Sequence, residues 1–332
     1  MNSNPTTKLL TRREMLQAAA GLAGGALAAR FYPVGLVHAA APGFPQQQGE
    51  ADRVAAMRAQ FGGMPVEAMK LTDSLTMLSG PGGNVVVLNG ADGKLIGDTF
   101  VQPAWQHLQD ALALIGNAPV KTAIDTHWHF DHSDNNAALR AAGATLIAHQ
   151  NTKKRLSEKH TLAVLNLTFE PSPAAALPQQ TFEQNRKIEM NGERLSLVHV
   201  PPAHTDSDIY IHFEKGNVLQ TGDVFFNGSY PYIDDGTGGS VSGMIAGATK
   251  LLTIADANTK VVPGHGPLGT KADLAKFREM LMTVRERLQK LKADGKSMEE
   301  AVAAKPLKDL DPVWGKGLFN GDTFIQIAYP AL

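Results

Sequence analysis

This sequence is most constrained by three histidines and one aspartate within six consecutive residues, His127-Trp128-His129-Phe130-Asp131-His132. They follow a run from Val120 to Asp125 whose apolar and β-branched residues predict a strand. On a helix, His127 and His129 would point to nearly opposite sides and could not share one ion. In the loop leaving a strand they can face the same way, and the sheet keeps that loop rigid. The motif therefore predicts a metal site at a strand end.

Three further candidate ligands stand in loops after predicted strands: His204 in Ala203-His204-Thr205, Asp223 in Gly222-Asp223, and His265 in Gly264-His265-Gly266. All three could gather with the first motif at one edge of the sheets. A catalytic zinc takes about three protein ligands and keeps a position for water. Two ions about 3.5–4 Å apart need about six or seven ligands, often with a bridging carboxylate. The chain offers enough donors for two ions, although His and Asp suit Zn, Mn and Fe alike.

Composition excludes several other functions. The chain has 332 residues and no cysteine, which rules out disulfides, thiolate zinc sites, a catalytic thiol and a lipid-anchored cysteine. Its 31 Lys and Arg nearly balance 32 Asp and Glu. A nucleic-acid partner would need a basic face, so none is expected. Any metal must be held by His, Asp or Glu.

The secondary-structure pattern alternates strands and helices, which predicts α/β layering. Predicted strands cover Asn84 to Leu88, Lys94 to Gly97, Thr145 to Ala148 and, further on, Ser196 to Val200, Ile209 to Phe213, Asn217 to Gln220 and Lys260 to Val262. Predicted helices cover Trp105 to Ile115, Asn135 to Ala142 and Ser242 to Ile254. Thr270 caps a long helix with apolar residues at three-four spacing, and Ser297 with Glu300 starts a shorter one. The apolar stripe could join two subunits, but more often covers its own domain.

The ligand pattern HxHxDH, followed by a lone His, Gly-Asp and Gly-His-Gly, resembles the metallo-β-lactamase superfamily of metallohydrolases. The resemblance extends roughly over residues 71–269 and includes Gly82-Gly83-Asn84 and Leu95-Ile96-Gly97-Asp98, which are similar to the family's opening strands. It implies a four-layer αββα sandwich, here with a helical C-terminal extension. By position, it implies a first metal on His127, His129 and His204. The second would be held by Asp131, His132 and His265, with Asp223 bridging the two ions.

This chain departs from the β-lactamases of that superfamily. Two lactamase subclasses place a cysteine at the second metal, and a third lacks the bridging acid. Asp223 instead resembles the lactonases, glyoxalase II-type thioesterases and phosphodiesterases. The strings His127-Trp128-His129 and His204-Thr205-Asp206 look closest to the class-B-β-lactamase-like hydrolases of bacteria.

The expected function is that of an exported, zinc-dependent hydrolase. Hydroxide held by two Zn²⁺ ions would attack an ester, lactone, thioester or amide carbonyl of a small molecule. Asp131 would orient the nucleophile and pass a proton to the leaving group. The alternatives are a true β-lactamase, an iron dioxygenase of the same fold, and a non-catalytic periplasmic metal-binding or assembly protein.

Three other side chains are candidates around the metals. Asp125 could fix a histidine ring from outside, and His149 could do so too, although a core role is favoured for His149. Tyr230 could line the substrate pocket and donate to an oxyanion. Aromatic residues after a strand more often belong to the core.

The N-terminus predicts an export signal. Residues 1–41 combine Arg12-Arg13, resembling a twin-arginine signal, with a weakly apolar run from Met15 to Ala29 and small residues before residue 42. That run is shorter than the roughly 20 residues that span a bilayer, so no stable membrane anchor is expected. We expect recognition by the twin-arginine export machinery and a periplasmic location. A leader (42–64), a main domain (65–270) and C-terminal helices packed on it (271–332) complete the predicted organisation.

Overall fold

The computed structural model describes residues 8–9 and 50–332, with side chains from residue 53 onward. The export signal predicted over residues 1–41 therefore lies outside the described residues, except for the two-residue strand Lys8–Leu9. Within the described residues, no helix is both long and apolar enough to cross a membrane.

The larger of two facing sheets has eight strands in the order β1-β2-β3-β4-β5-β6-β7-β10. Strands β2 to β5 are joined as antiparallel neighbours, and β5, β6, β7 and β10 run parallel. Its strands are β1 (Lys8–Leu9), β2 (Glu67–Lys70), β3 (Leu75–Gly80), β4 (Gly83–Gly90), β5 (Gly93–Gly97), β6 (Val120–Ile124), β7 (Thr145–His149) and β10 (Gln180–Phe182).

The smaller sheet has five strands in sequence order, antiparallel except for the parallel last pair. Its strands are β11 (Asn185–Met190), β12 (Glu193–His199), β13 (Ile209–Phe213), β14 (Val218–Gln220) and β15 (Lys260–Val262). A separate antiparallel hairpin is formed by β8 (His160–Leu162) and β9 (Leu167–Phe169).

Helices cover the outer faces of both sheets. They are α1 (Glu50–Gly62), α2 (Trp105–Ile115), α3 (Phe130–Ser133), α4 (Asn136–Ala141), α5 (Gln150–Leu156), α6 (Val241–Ile254), α7 (Lys271–Ala293), α8 (Met298–Ala303), α9 (Asp311–Trp314) and α10 (Gly321–Ala328).

Two apolar cores hold these layers together. One core lies between the sheets and contains buried residues from both, such as Val86 and Leu95 from the larger and Leu197 and Phe213 from the smaller. The second core packs the helices onto the sheets. The layers therefore follow the order helix, sheet, sheet, helix, which confirms the predicted αββα sandwich.

The C-terminal helices pack on this same body. Thr270 caps α7 in a capping box with Asp273, and Ser297 caps α8 with Glu300. The apolar stripe of α7 is buried in the domain's own core and packs beside α6, so it is not left open for a second subunit.

Local patterns located several elements closely, including α2, β13 and β15, whose predicted and observed bounds agree. The segment expected as a leader contains α1, whose Val54 and Met57 are buried in the core. The described fold therefore begins before residue 65.

Candidate metal centre

The seven predicted ligands come together at one edge of the two sheets. They lie in the segments that follow β6, β12, β14 and β15, with Asp131 and His132 on the short helix α3, because these strands deliver their C-terminal ends to the same side of the sandwich. Their donor atoms form two groups, each with all atoms within 4.8 Å of one another. The first group is His127, His129, His204 and Asp223; the second group is Asp131, His132 and His265.

In the first group, the imidazoles of His129 and His204 each direct one ring nitrogen towards the other. His204 Nδ1 lies 2.8 Å from the carbonyl oxygen of Tyr232, and His129 Nε2 lies 3.2 Å from Asp234 Oδ2. Both partners only accept hydrogen bonds, so these two nitrogens carry the protons. The remaining nitrogens, His204 Nε2 and His129 Nδ1, are 2.8 Å apart. Two lone pairs this close repel unless a cation lies between or beside them.

The other two buried rings are oriented in the same way. The Thr126 hydroxyl donates to Asp98 Oδ2, so Thr126 Oγ1 accepts from His127 Nδ1 at 3.1 Å. His132 Nδ1 donates to Asp98 Oδ2 at 3.0 Å. The Nε2 atoms of His127 and His132 are thereby directed inward. His127 Nε2 is buried with no hydrogen-bond partner.

Asp223 stands between the two groups. Its carboxylate oxygens lie 3.2 Å from His132 Nε2, 3.3 Å from His265 Nε2 and 3.4 Å from His204 Nε2. The Oδ1 atom is buried without a hydrogen-bond partner. Converging lone pairs, an anion and unsatisfied buried atoms would be costly on their own. One or more divalent cations would satisfy all of them, so the donor set fits a metal centre.

The acid-base properties of the two groups differ. Burial lowers the pKa of His204 to about 4 and places the pKa of His127 well below its usual range. Burial also acts on His265, but the Asp223 and Asp131 carboxylates outweigh it and raise its pKa to about 9. The same balance raises the pKa of His132 well above normal. Without metal and at neutral pH, the His127 and His204 rings are therefore neutral, whereas His132 and His265 are protonated.

Asp98 is the main structural support that the sequence did not reveal. It follows β5 with a φ of 67°, an uncommon conformation for a residue other than glycine. Its Oδ1 accepts from the Thr126 backbone N–H at 2.7 Å, and its Oδ2 holds Thr126 Oγ1 and His132 Nδ1 at 3.0 Å. Strained backbone of this kind persists where the surroundings enforce it. One carboxylate thus orients rings in both groups.

Asp234 is the second support that was missed. Besides His129, its Oδ2 accepts from the Thr237 hydroxyl, and its backbone N–H donates to the His204 carbonyl at 2.9 Å. The stretch from Tyr232 to Thr237 therefore holds two first-group ligands from outside. No nearby sequence signal could have identified Asp234, because it lies 105 residues from His129.

Of the three additional candidates, Asp125 and Tyr230 make their contacts away from the ligand rings, and His149 has a structural role. Asp125 Oδ2 accepts from Asn136 Nδ2 at 2.8 Å, so this carboxylate does not orient a ligand ring. His149 caps α5, accepting from the Asn151 N–H, and stacks on His199 with ring centroids 3.8 Å apart. Tyr230 is buried against the C-terminal helices, where its hydroxyl donates to Asp311. The predicted pocket role of Tyr230 is therefore wrong.

Close approaches of the backbone to two carboxylate side chains explain two of the glycines at the centre, Gly264 and Gly82. A Cβ at Gly264 would collide with Asp223 Oδ1, so only glycine lets this strand end pass the bridging carboxylate. Gly82 has a φ of +98°, and a Cβ there would lie 2.6 Å from Asp131 Cβ. Glycine is needed at both positions for the two carboxylates to keep their places.

Known proteins match this chain at the level of family and fold. A family model described as the metallo-beta-lactamase superfamily matches residues 78–265. The acyl-coenzyme A thioesterase MBLAC2 of Gallus gallus is 25% identical over 159 residues, which are 43% of this chain and 55% of the relative. The hydroxyacylglutathione hydrolase GloC of Haemophilus influenzae is 29% identical over 153 residues, 46% of this chain and 71% of the relative.

Two solved structures align with this chain over nearly the whole of their own length. A metallo-beta-lactamase from Pontibacter korlensis matches with a TM-score of 0.56 and 17% identity, over 65% of this chain and 99% of that chain. The BLEG-1 B3 metallo-beta-lactamase matches with a TM-score of 0.51 and 24% identity, over 60% of this chain and 94% of that chain. These matches show the fold, whereas the chain spans only about half the length of the MBLAC2 relatives.

Proposed function

Because the chain belongs to the metallo-β-lactamase superfamily, we propose that it is a metal-dependent hydrolase acting on an ester, lactone, thioester or amide. The observation that carries this proposal is the facing lone pairs of His204 Nε2 and His129 Nδ1, 2.8 Å apart beside the Asp223 carboxylate. Relatives named as an acyl-coenzyme A thioesterase and a hydroxyacylglutathione hydrolase support carbonyl hydrolysis.

We propose that the resident metal is zinc, with two ions per chain. Histidine nitrogen and carboxylate oxygen are suitable zinc ligands, and a shared carboxylate is common between paired ions. His127, His129 and His204 would hold one ion, Asp131, His132 and His265 the other, and Asp223 both. When bound, such ions lower the pKa of a water molecule and polarise the substrate's carbonyl oxygen.

Asp131 is the residue that we assign to proton movement. Its side chain is 13% exposed, against 4% for Asp223, so it is the more accessible of the two carboxylates. Burial acts to raise the pKa of Asp131, but the neighbouring His132 and His265 lower it below its usual value. The carboxylate is therefore ionised at neutral pH, orients the attacking water and takes up a proton for the leaving group.

We also propose that the enzyme acts in the bacterial periplasm after export by the twin-arginine machinery. The support is the paired Arg12-Arg13 ahead of a weakly apolar run. That pathway carries folded proteins, which suits a centre assembled from four distant loops.

The experiment measures metal content and turnover on one sample of the full chain. Mass spectrometry should find about two zinc ions per chain, and chelator-sensitive hydrolysis should appear on a panel of esters, lactones and thioesters. His127→Ala and Asp131→Ala should lose turnover while staying folded. Turnover of nitrocefin above every other substrate would favour a true β-lactamase. A fully metallated chain that is inactive on the whole panel would instead favour a metal-binding or assembly protein.

A further inference from the structure

Helix α1 is joined to the ligand-bearing part of the chain by one arginine. Arg58 donates twice to Asp134, from Nε to Oδ2 and from Nη2 to Oδ1, both at 2.7 Å. Its guanidinium carbon also lies 5.8 Å from the ring centroids of Phe130 and of Phe169, which is on β9. A bidentate fork over two aromatic rings is fixed in both position and direction. Arg58 therefore connects α1 to the β8–β9 hairpin and to the segment that contains Asp134.

The Arg58–Asp134 pair is partly shielded from water. Its side chains are 32% and 10% exposed, and Asp134 Oδ2 also accepts from the Gln102 backbone N–H at 3.3 Å. An exposed ion pair is screened and holds its partners loosely, whereas a shielded bidentate pair restricts both. Further along α1, Gly62 passes Pro103 so closely that a Cβ there would lie 2.6 Å from the Pro103 Cβ. The helix is thus held at two points.

Asp134 follows directly on α3, the short helix that carries two ligands of the second group. Its backbone N–H donates to the Phe130 carbonyl at 2.9 Å, so Asp134 forms the C-terminal cap of that helix. Asp131 and His132 lie within the same turn. A change in the position of Asp134 would therefore move the helix that carries both ligands.

The two ligands on α3 are not supported equally. His132 has support from outside its group, since its Nδ1 donates to Asp98 and its carbonyl accepts from the Thr99 hydroxyl at 3.1 Å. The described ion pairs of the Asp131 carboxylate are with His132 and His265, at 3.7 and 3.4 Å, and both belong to the same ligand group. The place of Asp131 is therefore set by the backbone of α3.

From these contacts we propose that Arg58 is a positioning residue for the second metal ion. Through Asp134, α1 fixes α3 and so keeps Asp131 in its ligand position. This inference rests on the two-ion centre of the proposed function. The first group should be much less affected, because the outer nitrogens of His129 and His204 make hydrogen bonds of their own. Since α1 ends at residue 62 and the family match begins at residue 78, this support comes from outside the matched region.

The test measures both zinc affinities of the full-length protein by competition with a coloured chelator. Arg58→Met keeps an unbranched apolar stem against the aromatic rings but removes the charge and both hydrogen bonds. It should weaken the second ion about tenfold, the lower end of the range for residues that orient metal ligands, and leave the first ion nearly unchanged. Arg58→Lys, which keeps a cation near Asp134, should restore part of the affinity. An unchanged ratio of the two affinities in Arg58→Met would overturn the inference, even if its Tm fell.

Arg155→Met is the matched control. Arg155 forms the same kind of bidentate pair, with Asp206, and its side chain is 18% exposed. Asp206 stands two residues from the first-group ligand His204 and lies outside α3. Arg155→Met should therefore leave the second-ion affinity unchanged. A loss as large as that in Arg58→Met would show that removal of any such ion pair weakens this ion, which contradicts the proposal.

Asp134→Asn and its combination with Arg58→Met complete a double-mutant cycle. The double variant should bind the second ion no more weakly than the weaker single variant, because both changes remove one contact, and additive losses would contradict the proposal. Should Arg58→Met not fold, an unchanged affinity ratio in both Arg58→Lys and Asp134→Asn would overturn it. A wild-type protein that binds fewer than two zinc ions would instead overturn the two-ion centre itself.

Discussion

The two ligand groups lie on either side of the Asp223 carboxylate but are prepared for metal in different ways. Side chains of the first group, including His127, His129 and His204, are at most 6% exposed, and burial holds the His127 and His204 rings neutral. The second group includes Asp131 and His265, whose side chains are 13% and 18% exposed, and its imidazoles are held as cations by the carboxylates. A dry, neutral set of lone pairs is ready for a cation, whereas the wetter set must first release protons.

This difference indicates how hydrogen bonds made by the outer nitrogens of the ligand rings determine which group binds a metal ion first. His204 and His127 donate outward to the Tyr232 carbonyl and to Thr126, and burial lowers their pKa values, so their inner nitrogens are unprotonated before metal arrives. His265 has no such outer acceptor among its described hydrogen bonds and instead faces two carboxylates through Nε2. We therefore expect the first group to bind its ion more tightly.

Removing one ligand from each group gives the largest expected effect. His127→Ala should lower hydrolysis by about 10³-fold or more and lose the tighter ion, because several kcal/mol of metal-derived stabilisation disappear. His265→Ala should lose the second ion but retain the first. Metal content after dialysis, measured beside turnover, checks both variants. A His265→Ala protein that loses both ions while His127→Ala keeps one would reverse the comparison.

Changing the outer carboxylates should act more mildly. Asp234→Asn removes the anionic acceptor of His129 and should weaken the tighter ion by about 10- to 100-fold. Asp98→Asn should weaken both ions, because Asp98 holds His132 directly and His127 through Thr126. Zinc competition with a coloured chelator measures the two affinities. Asp235→Asn is the control, since Asp235 is exposed and lies next to Asp234. An Asp235→Asn effect as large as that of Asp234→Asn would argue against specific positioning.

The pH should change the affinity of the second ion much more than that of the first. The pKa of His265 is about 9 in the metal-free protein and that of His132 is also raised well above normal, so binding at the second group releases one proton from each ring at neutral pH. The affinity of the second ion should therefore fall about tenfold per pH unit for each of these protons, or about 100-fold per unit in total. The pKa of His204 is about 4, so first-group affinity should change little between pH 6 and 8. Chelator competition at several pH values checks this, and parallel slopes would contradict the assignment.

The smallest expected effect lies away from the metals, at His149. Burial and the stacked His199 lower the pKa of His149 in the folded protein to about 4. In the unfolded chain the pKa of this histidine is about 6.5. A depressed pKa contributes stability that is present above pH 6.5 and is lost as the pH falls towards 4. His149→Asn keeps an α5 cap without the titration. Between pH 7.5 and 5, its Tm should fall about 2–4 °C less than that of wild type, both measured without metal.

An equal fall in the Tm of the two proteins would show that His149 does not contribute to the acid sensitivity. The protonation of His132 and His265 in the second ligand group would then be the main pH-dependent property of this domain.

The part of the site that could be predicted from the sequence is the part encoded at short spacing. His127, His129, Asp131 and His132 lie within six residues after a strand, and His204, Asp223 and His265 each follow a strand and stand near Gly or Pro turns. The structure brings all seven side chains together. Helix caps such as Thr270 were equally predictable, because a capping box needs only two residues three positions apart.

The supports of the ligands could not be predicted, and one local expectation failed for a clear reason. Asp125 adjoins the histidine motif, but its carboxylate accepts from Asn136 Nδ2 instead of a ligand ring. The next residue, Thr126, makes the contacts with Asp98 and His127. Asp98 lies 34 residues from His132, so their hydrogen bond depends on the pairing of β5 with β6.

The sequence by itself determined α/β layering from its strand pattern and the kinds of atom that can hold a metal from its ligand motifs, and the resemblance of those motifs to a family implied the αββα sandwich. Only the tertiary structure decided which nitrogen of each ring faces inward, which carboxylates orient the rings, and that the Phe319 ring of the C-terminal extension lies 6.2 Å from that of Tyr232. Those properties depend on contacts between residues up to 105 positions apart. Such contacts exist only after two sheets have packed and their strand ends have met at one edge.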